Sequence, residues 1–194
     1  MTERSRDYCK RENTENNKCV IHLTQVLESS SQQLKNKWCK QLLFKINIIH
    51  NQFKNAFYNI CLDNLKVEIN EDLVFINVSE NLNNCTETSS DTRYKAPELI
   101  NCNKSSKSGD IWATGICIYY INNFNFPWKY AVKDDEKYRL WANKGIFPSN
   151  KNNYYSPVLM QMLCVNPHMR QNIENVIQST LDDDIDTNVL SKLL

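Results

Sequence analysis

Glycine is nearly missing from this chain of 194 residues: Gly109, Gly115 and Gly145 are all it contains, and none lies close to another. A loop that wraps phosphates with backbone N–H groups needs closely spaced glycines, because side chains would block the approach. No GxGxxG run occurs anywhere in the chain. Long apolar runs are also missing, so no segment reads as a transmembrane span, and the first residues lack the apolar core of a signal peptide. Charge of one sign is missing too: Lys+Arg 23 against Asp+Glu 22 leaves +1. That balance gives no electrostatic reason to expect nucleic acid or an anionic membrane as partner. The 8 cysteines form no CxxC pair. In a chain without a signal peptide they are expected to be reduced, partly buried thiols, and no structural metal is expected. These absences point to a cytoplasmic or nuclear protein.

The pattern that remains is mostly helical. Residues 1–18 are polar and expected to be without fixed structure, residues 19–181 to form one domain, and 182–194 a short tail. A short helix is expected over residues 21–28. Between 34 and 51 the apolar residues Leu34, Trp38, Leu42, Phe44, Ile46 and Ile49 recur at helical intervals, giving an amphipathic helix. Residues 65–69 and 73–78 are β-rich runs separated by Asn70-Glu71-Asp72, a hairpin signal. Residues 79–93 are rich in Ser, Thr and Asn and read as a loop. Residues 111–121 are apolar nearly all round, which predicts a helix buried on every side. Phe126-Pro127-Trp128 reads as a rigid turn. Residues 134–143 open with two acids, as suits a helix N-terminus. Two further helices are expected over 157–164 and 172–178. The fold class is therefore mainly α with one small β-hairpin.

Four short pieces carry more. YKAPELI (residues 94–100) contains Ala96-Pro97-Glu98. SGDIWATGICIYY (108–120) contains Asp110, Trp112 and Gly115 in a DxWxxG frame. Phe126-Pro127-Trp128 and the NPxxR run ending at Arg170 follow. Each alone is a weak signal. All four, in this order, resemble the C-terminal lobe of a Ser/Thr protein kinase, across roughly residues 20–180. The stretches DDEKYRLWANKGIF and SPVLMQMLCVNPHMR look most like the checkpoint-kinase branch of the calmodulin-kinase-like group.

The resemblance implies a helical lobe in which Glu98 and Arg170 form a buried ion pair. It also implies that Asp110 accepts hydrogen bonds from the backbone of the catalytic loop. It implies a nucleotide-binding lobe as well, with a glycine loop and a lysine strand, for which this sequence offers no counterpart. Kinases carry HRDLKxxN, its Asp as catalytic base and its Asn on magnesium. Anchored on Leu65-Lys66, the corresponding run puts Asn64 at the base position and Ile69 at the metal position, with Lys66 alone retained. Asp63 becomes the base if the register slips by one residue. Asn77 stands at the metal-binding Asp of DFG. An amide cannot take a hydroxyl proton at neutral pH, and isoleucine offers a metal no lone pair. A pseudokinase acting through a protein partner or a kinase's substrate is therefore expected, needing neither ATP nor Mg²⁺. The alternatives are an active kinase represented by an incomplete or diverged chain, which would use both, and an unrelated helical interaction domain. Oligomeric state is left open.

Overall fold

The most uniformly apolar stretch of sequence forms the axis of the molecule. The computed structural model describes residues 20–53, 56–57, 59–68, 70, 72–75, 91–100, 106–148 and 155–182. Its elements in chain order are β1 (Val20–His22), α1 (Leu23–Val26), α2 (Gln32–Gln52), β2 (Leu65–Glu68), β3 (Leu73–Phe75), α3 (Lys107–Asn123), α4 (Glu136–Lys144), α5 (Ser156–Met162) and α6 (Ile173–Asp182). Three 3₁₀ turns, Leu62–Asn64, Thr92–Tyr94 and Pro97–Leu99, punctuate the connections. Among the described residues no helix is long and apolar enough to cross a membrane.

Helix α3 starts where the Ser106 side chain accepts a hydrogen bond from the Gly109 N–H, satisfying one orphaned donor of its first turn. Ile111, Trp112, Ile116, Ile118 and Ile121 are each no more than 4% exposed. Burying side chains of this size stabilises by about 1.5–3 kcal/mol each. Helices α2 and α5 pack against α3, and α6 packs on α2 and α5. Gly115 makes the α5 contact possible: a Cβ there would meet Leu163 and Met162 at 3.1 Å. Helix α3 ends at Phe124 in the left-handed region, φ 57°, an uncommon place for a bulky side chain. The Lys35 ammonium lies 4.3 Å above its ring.

The sheet differs from the sequence expectation. Residues 21–28 were expected to form one helix, but Val20–His22 is a strand and the helix is confined to Leu23–Val26. The sheet is accordingly three-stranded in the order β1-β2-β3, all antiparallel, rather than a hairpin. The β-branched pair Val20-Ile21 covers the otherwise open edge of β2, with Ile21 opposite Val67 and His22 opposite Lys66; tertiary pairing overrides the helical spacing of so short a run. The β2–β3 turn is fixed by side chains: Asp72 N–H donates to Asn70 Oδ1 at 3.1 Å and Asn70 Nδ2 donates to Asp72 Oδ2 at 2.7 Å. Gln41 of α2 ties the turn to the helical layer, accepting from Leu73 N–H at 2.9 Å and donating to Asp72 at 2.8 Å. Leu65 and Leu73 are 0% exposed.

Helix α4 begins at Glu136, two residues later than the expected start at 134. Asp135 caps it by accepting from Tyr138 N–H, and Gly145 closes it at φ 66°, the left-handed C-terminal stop that glycine favours. Cys39, Cys61, Cys117 and Cys164 are free thiols, and burial pushes the Cys39 thiol up to about 12, far from reactive thiolate. The other four cysteines lie outside the described residues, as do most of the 79–93 loop and both termini.

Candidate active site

The first turn of α3 supplies the site's central carboxylate. Asp110 is 4% exposed, and its Oδ2 accepts from the Phe57 N–H at 2.7 Å and from His50 Nε2 at 2.9 Å. His50 comes from the last turn of α2, so one carboxylate joins the end of α2, the start of α3 and the chain between α2 and β2. Lys107 reinforces the junction by donating its ammonium to the His50 carbonyl. Ionised hydrogen bonds of this kind are the stronger ones, and a buried carboxylate needs them. His50 had not been singled out from the sequence. Its place at the end of a long helix, with polar residues following, carried no signal beyond a helix terminus.

Downstream of Phe57 the chain turns through Leu62–Asn64 into β2. Asn64 Nδ2 donates to the Asn59 carbonyl at 2.9 Å, closing the loop on itself. The Leu62 N–H donates to the Tyr94 hydroxyl at 3.3 Å, tying the loop to the residues before Ala96. Tyr94 is 5% exposed and edge-on to Phe126 at 5.5 Å; burial raises its phenol well above the usual tyrosine range. Asp63 projects from the turn as an exposed residue.

This geometry conflicts with the register anchored on Leu65-Lys66. Lys66 is the second residue of a strand flanked by β1 and β3 and is 7% exposed; it is not a loop residue. The loop itself is the stretch from Phe57 to Asn64. Within it Asn59 and Asn64 stand at the five-residue spacing that separates Asp from Asn in HRDxxxxN. The apparent identity of one dipeptide had outweighed that spacing. Moving the register back also lengthens the reach to Asn77, from 13 positions to 18. Asn77 and Ile69 lie outside the described residues.

The structure brings Glu98 and Arg170 together across the length of the chain. The Arg170 guanidinium, whose side chain is 0% exposed, grips Glu98 with two bonds of 2.7 and 3.1 Å. It also donates to the Ser108 carbonyl at 2.8 Å and to the Cys164 carbonyl at 3.0 Å, and lies 5.0 Å over the Trp112 ring. Every edge of the fork is used, which suits arginine and not lysine. Trp112 continues into an aromatic cluster with Trp128 at 5.6 Å and Tyr138 at 6.5 Å. Ala96 is buried, and Pro97 starts the 3₁₀ turn that presents Glu98. Gly109 lets that segment close on α3, since a Cβ there would meet Leu99 at 2.4 Å.

Magnesium prefers carboxylates and water around it. Asn59 and Asn64 offer only amide oxygens, and among the described residues no three His, Cys, Asp or Glu side chains come together as a metal site. Of the positions where a kinase holds magnesium, Asn64 offers an amide oxygen and Asn77 lies outside the described residues.

The serine/threonine-protein kinase AKL1 of Saccharomyces cerevisiae is 32% identical over 92 residues, which is 44% of this chain and 8% of that protein. The chain thus matches only a small part of that relative's length. A family model described as the protein kinase domain matches residues 10–181, and the chain belongs to that family.

Proposed function

We propose that this kinase-family chain is a pseudokinase: it does not transfer phosphate and works by contact with a protein partner or a kinase's substrate. The observation that carries the reading is the loop from Phe57 to Asn64. It is held in place by Asp110 and Tyr94 and closed by the Asn64–Asn59 bond. In this register Asn59 stands where the catalytic base belongs and Asn64 keeps the residue type of the metal-binding position. A neutral amide cannot accept the substrate hydroxyl's proton, and phosphoryl transfer depends on that placement and on neutralising the phosphates. With Asn77 as the third position, none of these three places carries a carboxylate for magnesium.

The segment 94–100 is the surface through which contact is made, in keeping with a C-terminal lobe. Its backbone is locked by Tyr94 on one side and the Glu98–Arg170 pair on the other. The two stretches that resemble the checkpoint-kinase branch support placing the chain there, and the absence of an apolar span among the described residues suits a cytoplasmic or nuclear address.

The test is a phosphorylation assay with Mg-ATP and general protein substrates, run on the wild type, Asn59→Ala and Asp63→Ala. The reading expects all three to match the enzyme-free control. Incorporation by the wild type that either substitution abolishes would establish the active-kinase alternative.

A further inference from the structure

The end of the molecule farthest from Asp110 holds a cation without a counter-charge. Helices α2 and α3 run in opposite directions. His50 meets Asp110 where α2 ends and α3 starts, and Gln32 donates to Asn122 at 2.9 Å where α2 starts and α3 ends. Lys35 lies at that second junction, with its ammonium 4.3 Å above the Phe124 ring. The residue is 7% exposed, yet its nitrogen is not among the buried polar atoms left without a partner, so the covered stem carries the charge to the surface. Among the described residues no carboxylate pairs with Lys35; Lys37, by contrast, is taken by Asp72 at 2.9 Å. The first turn of α2 adds its own positive end, where Ser31 accepts from the Leu34 N–H. Phe124 is 42% exposed and holds a left-handed backbone at φ 57°. Strain of this kind gathers where something binds.

The chain returns to this end with the opposite charge. The Tyr155 hydroxyl donates to the Asn36 carbonyl at 3.2 Å, so α5 starts beside the first turns of α2. The connection from α5 to α6 lies at the other end, where Pro167 and Arg170 meet Ser108. Helix α6 packs on both α2 and α5, and so runs back along α2 toward its start. Its 10 residues rise about 15 Å, which from the level of His50 reaches roughly that of Lys40. The remaining five positions to Lys35 span about 7.5 Å, the length of two or three extended residues. The sequence after α6 continues Asp183-Asp184-Ile185-Asp186, outside the described residues. We infer that this acidic run folds back on the start of α2 and sets a carboxylate on the Lys35 ammonium beside Phe124. The inference goes beyond the pseudokinase reading and does not rest on it.

Zero-length carbodiimide crosslinking of the full chain, diluted and mapped by mass spectrometry, tests this. The Lys37–Asp72 pair is the internal control. Lys35 is expected to be joined to Asp183, Asp184 or Asp186 within one molecule, and the link to be lost in high salt. A protein in which Lys37 and Asp72 are joined but Lys35 is not overturns the inference. So does Lys35 joined to Glu28, or joined only between two copies in a mixture of isotopically light and heavy chains. Urea unfolding decides separately. The fall in folding constant caused by Lys35→Gln is expected to be about two- to fivefold smaller when Asp183→Asn, Asp184→Asn and Asp186→Asn are present. Equal falls in the two backgrounds overturn the inference. Phosphate transfer by the wild type would refute the pseudokinase reading and leave both results standing.

Discussion

Removing either partner of the Glu98–Arg170 pair should destabilise the protein sharply, and unequally. Arg170 has no solvent to fall back on: its side chain is 0% exposed, whereas that of Glu98 is 22% exposed. Glu98→Ala strands a buried guanidinium that keeps only the Ser108 and Cys164 carbonyls and the Trp112 ring. Breaking a buried pair in this way costs about 3–5 kcal/mol. Arg170→Ala frees Glu98 to rehydrate, but loses the carbonyl contacts and the packing on Trp112, for a similar cost of about 3 kcal/mol. In a domain of this size about 1 kcal/mol moves Tm by roughly 2–4 °C, so Arg170→Ala should melt roughly 6–12 °C lower and Glu98→Ala roughly 6–20 °C lower. The double variant should lose less than the sum, with a coupling of about 1–3 kcal/mol. Urea unfolding followed by tryptophan fluorescence measures all three, and Trp112 beneath the guanidinium makes it a local reporter. Single variants within 0.5 kcal/mol of wild type, or strictly additive losses, would refute the argument.

Asp110→Ala leaves the Phe57 N–H and His50 Nε2 without their shared acceptor; a loss of about 3 kcal/mol is expected in denaturant unfolding, and hydrogen exchange should quicken at Phe57 and Leu62. Gly115→Val forces a branched side chain into Leu163 and Met162, already 3.1 Å from a bare Cβ, and should cost about 1–3 kcal/mol by thermal melting. The Lys37 ammonium and the Gln41 amide hold the Asp72 carboxyl below its ordinary range. A lowered carboxyl contributes stability above its unfolded pKa and loses it as pH falls through the folded value, so the pair's share should begin to decline below about pH 4. Because both side chains are about 40% exposed (42% and 41%), Lys37→Met should cost only a few tenths of a kcal/mol at pH 7 and flatten the acid side of the stability curve.

How much of this was legible in the sequence depended on where periodicity governs. Helix α2 followed from apolar spacing, and α3 from the lack of any polar face, because a helix at the centre of a fold has no solvent side to mark. Strand β1 was hidden: three residues are too short for a period, and its partner β2 lies more than forty positions away. The loop register is hard to read because Leu65-Lys66 looks like a motif dipeptide, while the Asn59–Asn64 spacing shows only once the Asn64 amide is seen on the Asn59 carbonyl. Gln41, 6% exposed, reads in sequence as one more polar residue on a helix. Its role appears only when the β2–β3 turn is laid against it.

A single-turnover experiment bears most directly on the pseudokinase account. Protein in excess over γ-labelled ATP and Mg²⁺ is quenched over a time course, and label on protein or peptide is counted. The account predicts that wild type and Asn59→Ala both follow the buffer control. Label that accumulates with wild type and disappears with Asn59→Ala would contradict it.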